Sequence, residues 1–301
     1  MAYADINGFR MWYDVRGSGR PVLFIHGGLA GLPSRLEPRD YTWLGEIADA
    51  YRLIVYHRRG CGWSSCPKDG WRLEDFVADA LALLDHLGIG QAHVIGSSAG
   101  GPIAILLALR YRERVRRLAL VNTAARLFRE DGVGGRLLHL VKEQLALLES
   151  EGPLAVWRRR PPGVRLSLLG LWEREVAAAS GTLADYEAYE ERLSSLAAAL
   201  PEVEQARLYA AELRNIASYL GRDLRPLARQ LEVPALVLHG SEDRVIPLEE
   251  ARELAALVPG AELVVVPGAP HGILGASQEA RRAVVDFLRR VDGALDRGEG
   301  E

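Results

Sequence analysis

Cysteine and lysine are both scarce in this chain of 301 residues, with thiols only at Cys61 and Cys66 and amines only at Lys68 and Lys142. Two thiols cannot build a disulfide framework or a four-ligand zinc site. They are read as free thiols, with a strained loop disulfide as the alternative, because the expected compartment is reducing. Arginine supplies the other 35 of the 37 cations, a bias from which no function follows. An excess of charge is missing too. The balance of 37 basic and 40 acidic side chains leaves −3, which argues against a general nucleic-acid binder with its basic face. Long apolar runs are absent, and the uncharged stretch 99–109 is too short to span a bilayer. The opening MAYADINGFRMWYDV lacks the basic start, apolar middle and cleavage site of a secretory signal. These absences lead to the expectation of a cytoplasmic protein without metal or cofactor. Membrane and nucleic-acid partners are not expected, and monomer and homodimer both stay open.

Apolar residues make up 49% of the chain and charged residues 26%, ordinary values for a globular protein. Strand signals occur at 2–6 and 9–15, separated by Asn7-Gly8, a strong hairpin signal. Short continuous apolar runs follow at 22–25, 52–56, 92–95 and 118–121, the pattern of buried parallel strands. Helical spacing at 73–87 and 99–111 alternates with them, which implies parallel crossovers and a doubly wound sheet. The rhythm breaks between 125 and 223, where only helical patterns occur, at 133–149, 168–179, 183–199 and 203–220. It resumes with strands at 235–239 and 262–266 and helices at 248–258 and 279–291. The expected fold is an α/β core, 1–124 plus 224–301, carrying a mostly parallel eight-stranded sheet with helices on both faces. The remaining residues, 125–223, form a helical insert.

Between an apolar strand and an apolar helix stands Gly96-Ser97-Ser98-Ala99-Gly100, a G-x-S-x-G pattern. A nucleophile on a sharp strand-to-helix turn needs small neighbours two residues either side, because strand and helix approach closely there. The N–H after it can donate to a developing oxyanion, which assigns that task to Ala99. The bare pattern also fits an ordinary tight turn. The strand before, the helix after and Gly101 argue for the nucleophile, Ser98, and Ser97 lies off the central position.

A serine needs a base, and the base needs an orienting acid. His271 lies in VVVPGAPHGILG, a glycine- and proline-shaped loop after the last strand, where open α/β sheets carry their sites. His57, at a strand end, is the alternative base. His26 helps to fix the turn before Gly27-Gly28, and His86, His93 and His239 read as structural. His139 falls in the helical insert. The acid is Asp243, preferred over Glu242 in LVLHGSEDRVIP, with a turn or cap role as its bland alternative.

These segments, with His26-Gly27-Gly28 and the stretch from Tyr56 to Ser64, resemble the α/β-hydrolase fold family over nearly the whole chain. The resemblance implies a second oxyanion-hole N–H at Gly28, with Leu29 as the near alternative. It also implies that 125–223 is a cap walling the substrate pocket. Leu29, Leu138, Trp157 and Trp172 are candidate pocket residues, with Leu137 and Leu168 beside them, although packing between helices explains apolar residues equally well. His57 departs from the family's pattern, where an aspartate is expected, and is read as altering a local turn. The insert carries 13 cations and 15 anions, so no strongly charged substrate is demanded. The run Trp157-Arg158-Arg159-Arg160 is read as a solvated loop.

Related dehalogenases and epoxide hydrolases use aspartate at the elbow, so Ser98 points instead to acyl transfer through a Ser98–His271–Asp243 triad. Esters or lactones of small to medium apolar substrates rank first. A proline-iminopeptidase-like aminopeptidase follows, supported by Leu171-Trp172-Glu173 and opposed by Leu29 where a proline is expected. Carbon–carbon bond hydrolysis is the third reading. A weakly catalytic ligand receptor of the same fold is the reading from another class.

Overall fold

The computed structural model describes residues 1–128 and 133–295. Its sheet has eight strands: β1 (Ala2–Ile6), β2 (Phe9–Arg16), β3 (Pro21–Ile25), β4 (Arg52–Tyr56), β5 (Ala92–Ser97), β6 (Val115–Val121), β7 (Ala235–Gly240) and β8 (Glu262–Val266). Their spatial order is β1-β2-β4-β3-β5-β6-β7-β8. Asn7 and Gly8 both have positive φ, which is what a two-residue hairpin turn requires, and Ile6 pairs with Phe9 across it. β1 with β2 and β2 with β4 are antiparallel, and all other neighbours are parallel.

The helices are α1 (Leu32–Leu36), α2 (Gly45–Ala50), α3 (Leu73–His86), α4 (Gly100–Arg110), α5 (Val133–Glu151), α6 (Pro153–Arg158), α7 (Gly170–Ala179), α8 (Leu183–Ala197), α9 (Glu202–Ala217), α10 (Arg225–Ala228), α11 (Leu248–Leu257), α12 (Ile273–Ala276) and α13 (Gln278–Leu295). The five short ones, α1, α2, α6, α10 and α12, have too few turns to show a period in the sequence. α4 begins one residue later than its apolar pattern, because Ala99 is its N-cap. α7 begins two residues late, because the turn before it is closed by i→i+3 bonds, Gly170 N–H to Ser167 and Leu171 N–H to Leu168, while the Leu168 and Leu169 N–H groups donate to the Glu212 carboxylate.

Alternate residues of each parallel strand feed opposite apolar layers. Leu23, Ile25, Val94, Leu118 and Leu120 pack with Phe76 and Leu84 of α3 and Ile103 and Leu107 of α4. Val22, Phe24, Ile95, Ala119 and Val121 pack on the other face with Ile47 of α2 and Val284 and Leu288 of α13. Each such Val, Leu, Ile or Phe side chain contributes about 1.5–3 kcal/mol by leaving water, which explains continuous apolar strands buried on both faces. Between β6 and β7 the helices α5, α6, α8 and α9 share a separate apolar cluster around Val141, Trp157, Leu193, Tyr209 and Leu213. The Leu224 N–H donates to the Ala125 carbonyl at 2.9 Å, so this segment leaves and rejoins the sheet at one point.

One expectation changes here. Trp157 and Arg158 end α6 and are not in a loop, and the basic run is compensated. Arg158 pairs with Glu202, Arg159 with Glu151, and the Arg160 guanidinium lies over the Trp157 ring. Cys61 is buried, Cys66 partly so, and both are free thiols. Among the described residues no helix is long and apolar enough to cross a membrane.

Candidate active site

The carboxyl ends of five adjacent parallel strands, β3, β5, β6, β7 and β8, each deliver one part of the site. β5 runs into Ser98, whose φ is +49°, an unusual conformation for a residue with a side chain. Its neighbours explain how that turn is accommodated. A Cβ on Gly96 would lie 2.6 Å from the Ala104 Cβ, one on Gly100 2.1 Å from the Ile25 carbonyl oxygen, and one on Gly101 2.1 Å from Thr123 Oγ1. From β3, a Cβ on Gly27 would meet the Ser98 Cβ at 2.7 Å. Four glycines are therefore fixed by close approach around one serine.

Ser98 Oγ lies 3.0 Å from His271 Nε2, and His271 Nδ1 lies 2.7 Å from Asp243 Oδ2. A carboxylate can only accept from Nδ1–H, which leaves Nε2 as the acceptor for the serine proton. Asp243 is buried and every lone-pair direction is used: Oδ1 accepts from the Val245 and Ile246 N–H groups, and Oδ2 from His271 and from Asn122 Nδ2. Burial by itself would raise this carboxyl. The hydrogen bonds from His271, Asn122 and the Ile246 N–H outweigh it and hold the group below the usual carboxylate range. Asp243 thus stays ionised beside the imidazole. The cap role weighed for it is also real, since it caps the turn at Val245 and Ile246 with its other oxygen. A hydroxyl facing an imidazole acceptor that is oriented by a charged acid is a path along which the serine can lose its proton.

Asn122 and Thr123, at the end of β6, escape a reading of the sequence. Asn122 has φ +46°, a conformation asparagine tolerates, and from it donates to Asp243 at 2.5 Å. Thr123 Oγ1 donates to the Ser98 carbonyl at 2.7 Å, which also accepts from the Gly101 N–H at 2.9 Å. That carbonyl shares its peptide with the Ala99 N–H, so both bonds aim the Ala99 N–H the opposite way. Neither it nor the Gly28 and Leu29 N–H groups donate to another described protein atom. Ala99 also heads α4, whose dipole favours negative charge there.

The other histidines are occupied. His57 Nδ1 accepts from the Trp63 N–H at 3.0 Å and Nε2 donates to the Arg39 carbonyl at 2.8 Å. Burial pushes its pKa down to about 4, so it is a neutral brace of the turn and no rival base. His26 Nε2 accepts from the Arg58 N–H at 3.1 Å, and burial with Arg58 nearby drives its pKa well down. His239 is buried and donates from Nε2 to the Ile246 carbonyl at 2.9 Å.

A cleft of about 600 Å³ opens from His26, Gly27, Gly28 and Leu29. Ser98 and His271 are not part of its wall, and Gly27 is the link to Ser98. Of the apolar residues expected there, only Leu29 lines it. Leu137, Leu138, Trp157 and Leu168 are buried in the helical layer, and Trp172 is half-buried and away from the wall. The insert contributes Glu173, Tyr186, Tyr189 and Glu212 instead, opposite Arg39, Tyr41 and His57. Burial pushes the Glu212 carboxyl up to about 7, against hydrogen bonds from Ser167 and the Leu169 and Leu168 N–H groups. Burial also raises Glu173, helped by Glu190 and opposed by a hydrogen bond from Tyr186.

Residues 20–275 match the family model described as alpha/beta hydrolase fold. The chain is 30% identical over 292 residues to a 2-hydroxymuconate semialdehyde hydrolase of Pseudomonas putida, covering 95% of this chain and 92% of that one. It is 26% identical over 287 residues to a bifunctional esterase/perhydrolase of Acinetobacter calcoaceticus, covering 89% and 92%. Among solved structures, the enol-lactonase of Burkholderia xenovorans LB400 superimposes with a TM-score of 0.65 at 25% identity, over 96% of this chain and 100% of that one.

Proposed function

Because the chain belongs to the alpha/beta hydrolase fold family and is a hydrolase, we propose that it cleaves carboxylic esters or lactones through an acyl-enzyme on Ser98. The observation that carries this reading is the chain of contacts Ser98 Oγ–His271 Nε2 at 3.0 Å and His271 Nδ1–Asp243 Oδ2 at 2.7 Å. Ser98 attacks the carbonyl carbon while His271 takes its proton. Asp243 holds the tautomer and balances the imidazolium. The N–H of Ala99 and that of Gly28, or of Leu29 beside it, stabilise the tetrahedral oxyanion. The leaving alcohol departs with the proton from His271. Water, activated by the same imidazole, then attacks the acyl-enzyme and releases the acid and free Ser98. Residues 125–223 act as a cap over the cleft, a role supported by their own apolar cluster and by the Leu224–Ala125 hydrogen bond at their base.

Glu173 favours a second reading. A half-buried carboxyl lining the cleft suits an ammonium group better than an apolar tail, as in an aminopeptidase acting on an amino-terminal amine. One screen tests both. The protein is assayed against short and medium p-nitrophenyl acyl esters, lactones, proline p-nitroanilide and a 2-hydroxymuconate-type semialdehyde. Its labelling by a fluorophosphonate is followed to the modified peptide. Ester or lactone turnover with label on Ser98 is expected. Turnover of proline p-nitroanilide alone establishes the second reading, and turnover of the semialdehyde alone moves the assignment to the chemistry of that relative. A folded protein that neither turns over nor labels at Ser98 overturns the serine mechanism.

A further inference from the structure

Two consecutive arginines follow β4, and they meet opposite fates. Arg59 is buried and pairs with Asp79 through two bonds of 2.6 and 2.7 Å, the ordinary way to bury a guanidinium. Arg58 is 1% exposed and has no carboxylate partner among the described residues. Its NH2 donates to the Gly28 carbonyl, and its NH1 donates to Tyr219 Oη at 2.8 Å. Tyr219, also fully buried, passes its own proton to the Ala99 carbonyl at 2.8 Å. Arg58 Nε has no acceptor. The nearby titratable groups are His26, Tyr41, Tyr56, Cys61 and Tyr219, and none is an anion in the ordinary pH range. A buried cation without a counter-charge is costly.

The two carbonyls it reaches belong to the two segments that carry the oxyanion donors. In a trans peptide the N–H points opposite the C=O. Holding the Gly28 carbonyl therefore fixes the Leu29 N–H on the other side and the left-handed turn at Gly28 with it. Holding the Ala99 carbonyl through Tyr219 fixes the first turn of α4, from which the Ala99 N–H projects. Tyr219 comes from the end of the helical segment and Arg58 from the sheet, so this bridge also ties the cap to the oxyanion site.

Building on the serine mechanism above, we propose that Arg58 is a positioning residue of the oxyanion hole, holding its two donor segments through Gly28 and Tyr219, with the transition-state oxyanion as its missing counter-charge. Arg58 touches no reacting atom, so its effect is read in the transition state and not in substrate binding.

The test compares Arg58→Met, Arg58→Lys and Tyr219→Phe for ester turnover, for affinity toward a trifluoromethyl ketone that forms a tetrahedral anion on Ser98, and for melting temperature. Losing one direct oxyanion donor costs about 10²–10³-fold in kcat, so an indirect holder should cost about 10–10²-fold in Arg58→Met. KM should stay within about threefold, and the ketone should weaken by the same factor as kcat. Arg58→Lys keeps the charge and loses one arm, and should recover part of the loss. Tyr219→Phe should cost about threefold to tenfold. Removing an uncompensated buried charge should leave the melting temperature of Arg58→Met unchanged or raised. A variant that melts lower while its folded fraction keeps full kcat and ketone affinity overturns the proposal, as does Arg58→Lys behaving no better than Arg58→Met. If Arg58→Met does not fold, the kcat and ketone affinity of Tyr219→Phe and Arg58→Lys decide in the same way. Failure of the serine mechanism is seen separately, as turnover that survives in Ser98→Ala.

Discussion

The ends of the parallel strands and the helices between β6 and β7 are built by different rules. Around Ser98, position is set by atoms that cannot move: at Gly27, Gly96, Gly100 and Gly101 a single added carbon would meet its neighbour at 2.1–2.7 Å. In the helical segment, Gly152 and Gly181 have nothing within 4 Å of an added carbon. There the determining feature is chemical, the carboxyls of Glu173 and Glu212 half-isolated in a cleft with Tyr186 and Tyr189. On the proposed mechanism the first region fixes where a bond is broken, and the second selects whose bond it is. Mutations should therefore separate the two, rate in one and choice of substrate in the other.

The largest separation is expected at the reacting groups. Ser98→Ala and His271→Ala should each lower kcat by about 10⁴-fold or more with the fold intact, measured by ester hydrolysis beside a melting curve. Residual activity above a hundredth of wild type in His271→Ala would sever the imidazole from the mechanism. The glycine contrast comes next. Gly100→Ala should cost about 3–5 kcal/mol or prevent folding, because its new carbon runs into backbone. Gly152→Ala, strained only by its backbone at φ 85° and ψ 179°, should cost about 1–3 kcal/mol. Equal urea midpoints for the two would erase the distinction between the regions.

Glu212 gives the cleft a signature in stability. Its folded pKa of about 7 lies above the ordinary 4.5, so the folded chain binds the extra proton and stability falls as pH rises from 4.5 through 7. The loss from this one group is on the order of 3 kcal/mol. Glu212→Gln should remove that slope and gain on wild type at pH 8 relative to pH 5, read from urea unfolding. Parallel pH dependences would show that the carboxyl is not held as described. The smallest effect concerns selection. Under the amine reading, Glu173→Gln should raise KM for proline p-nitroanilide about tenfold. Neutral ester turnover should stay unchanged, and equal effects on both substrates would remove Glu173 from recognition.

How much of this was legible in the sequence follows the same division. All eight strands were visible, the first two from the Asn7-Gly8 hairpin and the rest as short apolar runs, a pattern that burial on both faces imposes on the inner strands. The contact chain Ser98–His271–Asp243 was visible because each member stands in a local turn with its own glycines or prolines: Gly96 to Gly101, Gly240, and Gly268 to Gly272. Asn122 was not, since its partner Asp243 lies 121 positions away and nothing local marks the pair. Arg58 was hidden for the same reason, its partner Tyr219 being 161 positions on. In the helices, apolar spacing cannot tell a residue facing another helix from one facing a cleft. Leu138 and Trp157 went to the interior, and the polar residues between such stripes formed the wall.

The central claim is that Ser98 carries the acyl group. Rapid acid quench of the protein with a p-nitrophenyl ester, followed by mass spectrometry of the intact chain and its peptides, tests it directly. The account predicts a burst of p-nitrophenol and a mass increase of one acyl group on the peptide containing Ser98, with neither in Ser98→Ala. Steady turnover with no adduct at Ser98, or an adduct on another residue that persists in Ser98→Ala, would contradict it.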